Sequence, residues 1–263
     1  MKEERRFLRA KNVPEDLRLQ AHFFAATGGE LFGGRSMKET KFSVRYLACM
    51  GMFTALAFVS VLLAKAIPNV QGFLSYEPKD ALIVIAGFIF GPMSAAILSL
   101  LVSFIEMLTI SSTGPWGFLM NTLASCAFTV PAAWIYSKKR SMRGAVLGLG
   151  VGVVFMALCM IVWNYIVTPY YMSMGTLTDV AEKRKLVGSM LASVFLPFNL
   201  IKGGINAGLA MLLYKPVVGG LRRMGLVAPS QGKKGRFNVG FTLFALAVLI
   251  SFVLLLLVML HVL

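Results

Sequence analysis

Asn199 and Lys202 stand three residues apart in Leu196-Pro197-Phe198-Asn199-Leu200-Ile201-Lys202-Gly203-Gly204, so a helix carries both on one face. Asn206, four further on, extends the polar stripe. The stretch lies inside an apolar run, Leu186 to Val217, long enough to cross a bilayer. A lysine at such a depth costs roughly 2.5–3.5 kcal/mol on insertion scales, so it needs a partner, water or a ligand. Asn offers donors and acceptors and Lys offers three donors, a set suited to a planar heterocycle edged with carbonyls and ring nitrogens. Further candidate ligand groups are Asn164 on the preceding span, and Asn121, Thr113 and Gly114 at an adjacent external turn. Trp116, Tyr165 or Tyr170 is available to stack on such a ring. Counted from the outer ends at 1.5 Å per residue, Asn164 lies about 6–9 Å deep and Asn199 about 18 Å deep, a difference one small molecule spans. The competing reading is that these asparagines only bond neighbouring helices, which fits Asn121 and Asn206 best.

The elements that must hold these residues are membrane helices. The chain of 263 residues is 57% hydrophobic and 14% charged, with a mean hydropathy of +0.76, far from a soluble domain. The apolar segments are about Ser43–Ala66, Asp80–Phe90, Met93–Ile110, Phe118–Tyr136, Gly144–Tyr170, Leu186–Val217 and Phe237–Leu263. The expected fold is all-α: a polytopic membrane helical bundle. Asp80–Phe90 is too short for a 30 Å core, and is read as a short helix with buried ends or one joined to the next by a turn. Gly144, Gly148, Gly150 and Gly152 suit close helix packing. The last segment reads as a lipid-facing anchor with no role in chemistry. Residues 67–80 hold two prolines and a glycine and read as an external loop, and Glu106 is expected to reach the interface.

The formal charge of +15 does not point to nucleic acid. Of 26 Lys and Arg, ten fall in residues 1–45, four in 138–143 and six in 215–236. All three groups lie on one side of the alternating topology, which is the positive-inside pattern beside anionic lipid. The expected organisation is a cytoplasmic tail over 1–42, a membrane core over 43–217, a basic cytoplasmic linker over 218–236 and a further transmembrane helix over 237–263. Cys49, Cys126 and Cys159 read as small buried apolar residues, and the two histidines lie at opposite ends of the chain, so no metal site is expected. There is no G-x-x-x-x-G-K-[ST], no H-E-x-x-H and no G-x-S-x-G. With no nucleophile and base at one depth, an intramembrane enzyme is not expected. The chain reads as a binding subunit that depends on others for energy.

Four strings then carry a family resemblance: Asp80-Ala-Leu-Ile-Val-Ile-Ala-Gly-Phe-Ile-Phe-Gly-Pro92, Ser112-Thr-Gly-Pro-Trp-Gly117 followed by Asn121, Trp163-Asn-Tyr-Ile-Val-Thr-Pro169, and Leu196-Pro-Phe-Asn-Leu-Ile-Lys-Gly203. Over about residues 44–217 the sequence resembles the substrate-binding (S) components of energy-coupling factor (ECF) vitamin transporters, most nearly the riboflavin-specific type. The resemblance implies a six-helix S-component core in a prokaryotic cell membrane, its N-terminus cytoplasmic. Such a component captures riboflavin, FMN or an analogue from outside and associates with a membrane T component and two cytoplasmic ATPases. It has no cofactor of its own. The family's flavin-contacting residues fall on Asn164, Asn199 and Lys202. Its T-component contact falls on Gly51 and Ala55, and the external loop 67–79 takes the place of its lid. This chain departs from relatives in its seventh span, its N-terminal tail, and Ser99, Val102 and Ser103, where relatives often carry a Glu and a Lys-Asn pair.

Overall fold

The computed structural model describes residues 43–70, 74–111, 113–171, 179–227 and 239–260. The expected tail over 1–42 and most of the basic linker lie outside these residues. Six helical stretches among the described residues are long and apolar enough to cross a membrane. The first, α1, spans Val44–Ala64 and starts at Ser43, whose hydroxyl accepts from the Tyr46 N–H, satisfying one of the orphan donors of a helix start. After Ile67-Pro68 the chain turns, and Val70 pairs with Leu74 in an isolated antiparallel bridge.

Helix α2, Lys79–Phe90, ends at Gly91, and α3, Pro92–Thr109, begins at the next residue. Gly91 has φ +101°, which a residue with a Cβ rarely adopts, and Pro92 is pre-set for a first helical turn. Both sequence options for this segment therefore hold, because α2 is buried and is also joined to α3 by a one-residue turn. A Cβ at Gly87 would come within 2.9 Å of Ala133 and 3.0 Å of Ala95, so α2 threads closely between its neighbours.

Helices α4, Gly114–Lys138, and α5, Met142–Tyr171, form an antiparallel pair. Gly148 and Gly152 face the Ala132 and Phe128 carbonyls of α4 at distances too short for any side chain. Gly150 meets nothing within 4 Å and is not part of that surface. Next, α6, Val180–Met190, runs through a π-helical turn at Leu191–Phe195 into α7, Leu196–Arg223. Pro197 explains the turn: it has no N–H for the carbonyl four residues back, and its ring clashes there. The ladder widens, and the Leu196 N–H bonds the Leu191 carbonyl, five back. The charged residues Glu182 to Lys185, which lie outside the apolar runs, are the first turns of α6. Glu182 in that first turn suits the positive end of a helix dipole.

Helix α8, Val239–Met259, lies against α7. Its residues Ala245, Leu249, Phe252, Leu256 and Met259 face inward, while Leu243, Leu246, Leu254, Leu255 and Val258 are exposed. The inward spacing of three and four is a helix–helix seam. A Cβ at Gly204 of α7 would overlap the Phe252 ring, and one at Gly208 would lie 3.1 Å from the Leu249 Cβ. The last span is thus more than a lipid-facing anchor: one edge is seated in α7.

Candidate ligand-binding site

The polar residues of α7 do face the interior. Asn199, Lys202 and Asn206 are all buried, and their spacing places them on one side of the helix, as their sequence spacing requires. Lys202 finds its partner 125 residues away: its Nζ donates to Glu77 Oε2 at 2.9 Å. Asn206 Nδ2 donates to the Glu77 backbone carbonyl at 3.0 Å and to the Lys202 carbonyl at 3.1 Å. Asn121 on α4 donates to Glu77 Oε1 at 3.0 Å and to Glu106 Oε2 at 3.1 Å. Three residues picked from sequence, Asn121, Lys202 and Asn206, are therefore joined through one glutamate the sequence reading had placed in a loop.

The described residues before α2 do form a loop, but its end turns inward: Glu77 is buried, and Lys79 and Asp80, which open α2, are buried completely. Lys79 Nζ donates to both Glu106 oxygens, at 2.8 and 2.6 Å, and lies 3.3 Å from Glu77 Oε2. Glu106 does not reach the interface. It is 3% exposed, because a lysine and an asparagine satisfy it inside, where a carboxylate is tolerated only when paired. Burial alone would push the Glu77 carboxyl up, but Lys202 and Lys79 beside it outweigh that and hold it at about 2. Asp80 accepts from Ser125 through Oδ1, while its Oδ2 has no partner among the described residues. Asn206 Oδ1 and the Tyr76 hydroxyl are likewise buried and unpartnered. Buried polar atoms with capacity to spare are groups that a ligand's polar edge could use.

The other candidates make their hydrogen bonds outside this cluster. Asn164 is buried on α5 but is satisfied locally, its Nδ2 donating to the Met160 carbonyl and its Oδ1 accepting from Thr168. Asn199 Nδ2 similarly donates to the Phe195 carbonyl. Each is saturated at the amide only in part, since an Asn side chain offers two N–H groups and two lone pairs. Thr113 is exposed and bonds Ser111, and Gly114, with φ +54°, opens α4 about 10 Å along the axis from Asn121. Neither joins the buried cluster. Tyr165 and Tyr170 point outward, and both rings sit 5.9 Å from the Arg184 guanidinium, so they do not stack beside Asn164. Ser99, Val102 and Ser103 of α3 are buried. Gly51 and Ala55 lie on an exposed stripe of α1, and nothing comes within 4 Å of a Cβ at Gly51. No group of three His, Cys, Asp or Glu side chains is placed to hold a metal ion among the described residues.

The site is a buried, ion-paired polar cluster walled by membrane helices, an arrangement suited to holding a polar ligand. A model of the family described as "ECF transporter, substrate-specific component" matches residues 45–214, and the chain belongs to that family. It is similar to the riboflavin transporter RibU of Staphylococcus aureus (strain TCH60), 31% identical over 179 residues, covering 68% of this chain and 93% of that one. It is also similar to the riboflavin transporter FmnP of Bacillus subtilis (strain 168), 27% identical over 166 residues, covering 61% and 85%. A solved structure of the S component of a bacterial ECF transporter superposes with a TM-score of 0.54 at 28% identity, covering 67% of this chain and 97% of that one. Helices α1 to α7 (α6 and α7 counted as one) are thus the six-helix core, and α8 lies beyond the matched residues.

Proposed function

We propose that this chain is the riboflavin-binding S component of an ECF-type uptake transporter, with FMN as a second candidate ligand. What supports the reading is a single coincidence. The chain is similar to two riboflavin transporters, and residues 45–214, which the family model matches, contain the buried Asn199–Lys202–Asn206 stripe, whose donors match the carbonyl and ring-nitrogen edge of a flavin. Lys202 uses one of its three donors on Glu77 and has two left for a ligand. Asn199 has one N–H beyond its Phe195 bond, and Asn164 is the further contact from α5. Thr113, Gly114 and Asn121 line the approach from the outer end of α4. The protein sits in a prokaryotic cell membrane with its N-terminus in the cytoplasm, where the positive-inside rule puts it. Its partners are a membrane T component and two cytoplasmic ATPases, which supply the energy the chain has no motif to supply. Gly51 and Ala55, small and exposed on α1, are where the T component packs.

The test is an absorbance and fluorescence scan of detergent-purified protein before and after denaturation, followed by a riboflavin titration. The expected result is flavin bound near one per chain, with its fluorescence quenched. Lys202→Ala weakens binding roughly ten- to hundredfold, as expected for a hydrogen bond to a charged group. It leaves the fold intact, because Lys79 remains beside Glu77. Colourless protein that fails to quench added riboflavin sinks the flavin assignment.

A further inference from the structure

Helix α8 lies outside the residues the family model matches, yet it shares an apolar cluster with α7 and with the segment that leads to Glu77. The geometry points to α8 as a positioning element: its Leu256–Leu260 end holds the segment that carries Glu77 in place against α7. Val70, Phe198, Ile201, Ile205 and Leu256 form one buried apolar cluster, and Leu74, Tyr76, Phe252, Met259 and Leu260 pack against it. Val70, Leu74 and Tyr76 come from the segment that runs into Glu77. Phe198, Ile201 and Ile205 interleave along α7 with Asn199, Lys202 and Asn206. Little backbone structure fixes the Glu77 segment. Val70 and Leu74 exchange two hydrogen bonds, at 2.9 and 3.0 Å, Ser75 donates to Asn69, and Asn206 holds the Glu77 carbonyl. Side chains must do the rest. Glu77 supplies the polar attachments, to Lys202, Lys79 and Asn121, and the cluster shared with α8 supplies the apolar one.

The register of α8 is set independently of that contact. Gly204 and Gly208, four apart, remove the side chains that would keep α8 away, and Phe252 and Leu249 fill the space. With those two seated, the next inward positions of an antiparallel α8 are Leu256 and Met259, level with Ile201 and Phe198, and all four belong to the cluster that also takes in Val70 and Leu74. Loosening this end frees the Glu77 segment, and with it the orientation of the Lys202 ammonium.

The flavin-site reading is needed only for the ligand half of the test. Full-length protein is compared as wild type, Leu256→Ala/Met259→Ala, and Leu254→Ala/Leu255→Ala on the exposed side of the same helix. Hydrogen exchange at the Leu74, Ser75 and Tyr76 amides is expected to quicken about tenfold in the first variant alone, reporting local opening. Riboflavin dissociation, followed by recovery of its fluorescence, is expected to quicken by about the same factor, since such changes appear mainly in the off-rate. Leu256→Met, close in volume, is expected to restore both rates. Unchanged exchange in Leu256→Ala/Met259→Ala overturns the proposal, and so does quickened exchange with an unchanged off-rate. Quickened exchange in Leu256→Ala/Met259→Ala, where the wild type itself binds no riboflavin, leaves α8 as the holder of the segment and removes only the flavin assignment. A general loss of structure is recognised by quickened exchange in α5 as well.

Discussion

Helices α2 and α8 are both apolar, but they differ in length, in charge and in how deeply they are enclosed. Helix α2 is 12 residues long and opens with Lys79 and Asp80, while α8 is 21 residues of almost unbroken apolar side chains. Nine residues of α2 are buried and only two of α8, so the poorer membrane helix is the more deeply enclosed. The reason is that lipid is itself an apolar solvent. A leucine gains little by leaving it, whereas a lysine or carboxylate must leave it and must find a partner. Helix α2 is held in by ion pairs and by the absence of a side chain at Gly87, and α8 is held on by the fit of one seam.

That contrast is tested most severely at Lys79. Lys79→Met leaves Glu106 buried without its cation, while Glu77 keeps Lys202, and removing one partner of a buried pair costs about 3–5 kcal/mol. The expected result is a fall of many degrees in the temperature at which the detergent-purified protein loses its monodisperse peak. Lys79→Met/Glu106→Gln should recover a large part of it. A single variant as stable as wild type would mean α2 is not held by its charges.

Asn206→Leu comes next. It removes the donor that ties α7 to the Glu77 backbone, and a buried acceptor left without its partner costs about 1–3 kcal/mol. The same thermal measurement should show a smaller fall, together with weaker riboflavin binding because Glu77 and Lys202 lose their common tether. Gly204→Ala then probes the α8 side of the same helix. The added methyl meets the Phe252 ring, an overpacking that costs typically about 1 kcal/mol or more. Replacing Phe252 with Leu in the Gly204→Ala background should return most of that loss.

The two helices also show what could be read from the residues alone. Helix positions, the all-α membrane class and the inward stripe of Asn199, Lys202 and Asn206 follow from apolar runs and helical spacing. Lys202 announced that it needed a partner, but nothing local named Glu77, because a residue 125 positions away in a proline-containing segment carries no periodic signal. The same gap hid Lys79 and the true place of Glu106: each looks like an interfacial charge until the other is set beside it. Tyr165 and Tyr170 looked suited to stacking because they flank Asn164 in sequence, yet on a helix neighbours in sequence point to different sides. The seam of α8 was hidden for the opposite reason. When every residue is apolar, no face stands out. Its signal lay on α7, in the four-residue spacing of Gly204 and Gly208.

The smallest expected effect is the most specific to a membrane setting. Leu254 is 49% exposed on α8, and in water its truncation would reduce an unfavourable apolar surface. In a bilayer the side chain touches acyl chains, and after Leu254→Ala those chains close over the space, so dispersion contacts are exchanged rather than lost. The change in thermal stability should stay within about 0.5 kcal/mol, the range of surface substitutions elsewhere. Ile83, fully enclosed in α2, offers the matched truncation, since lipid cannot enter and a cavity remains. Ile83→Ala should then cost about 2–5 kcal/mol. Equal losses at the two positions would mean that α8 is covered by protein on its outer side as well, and would point to a second chain packed there.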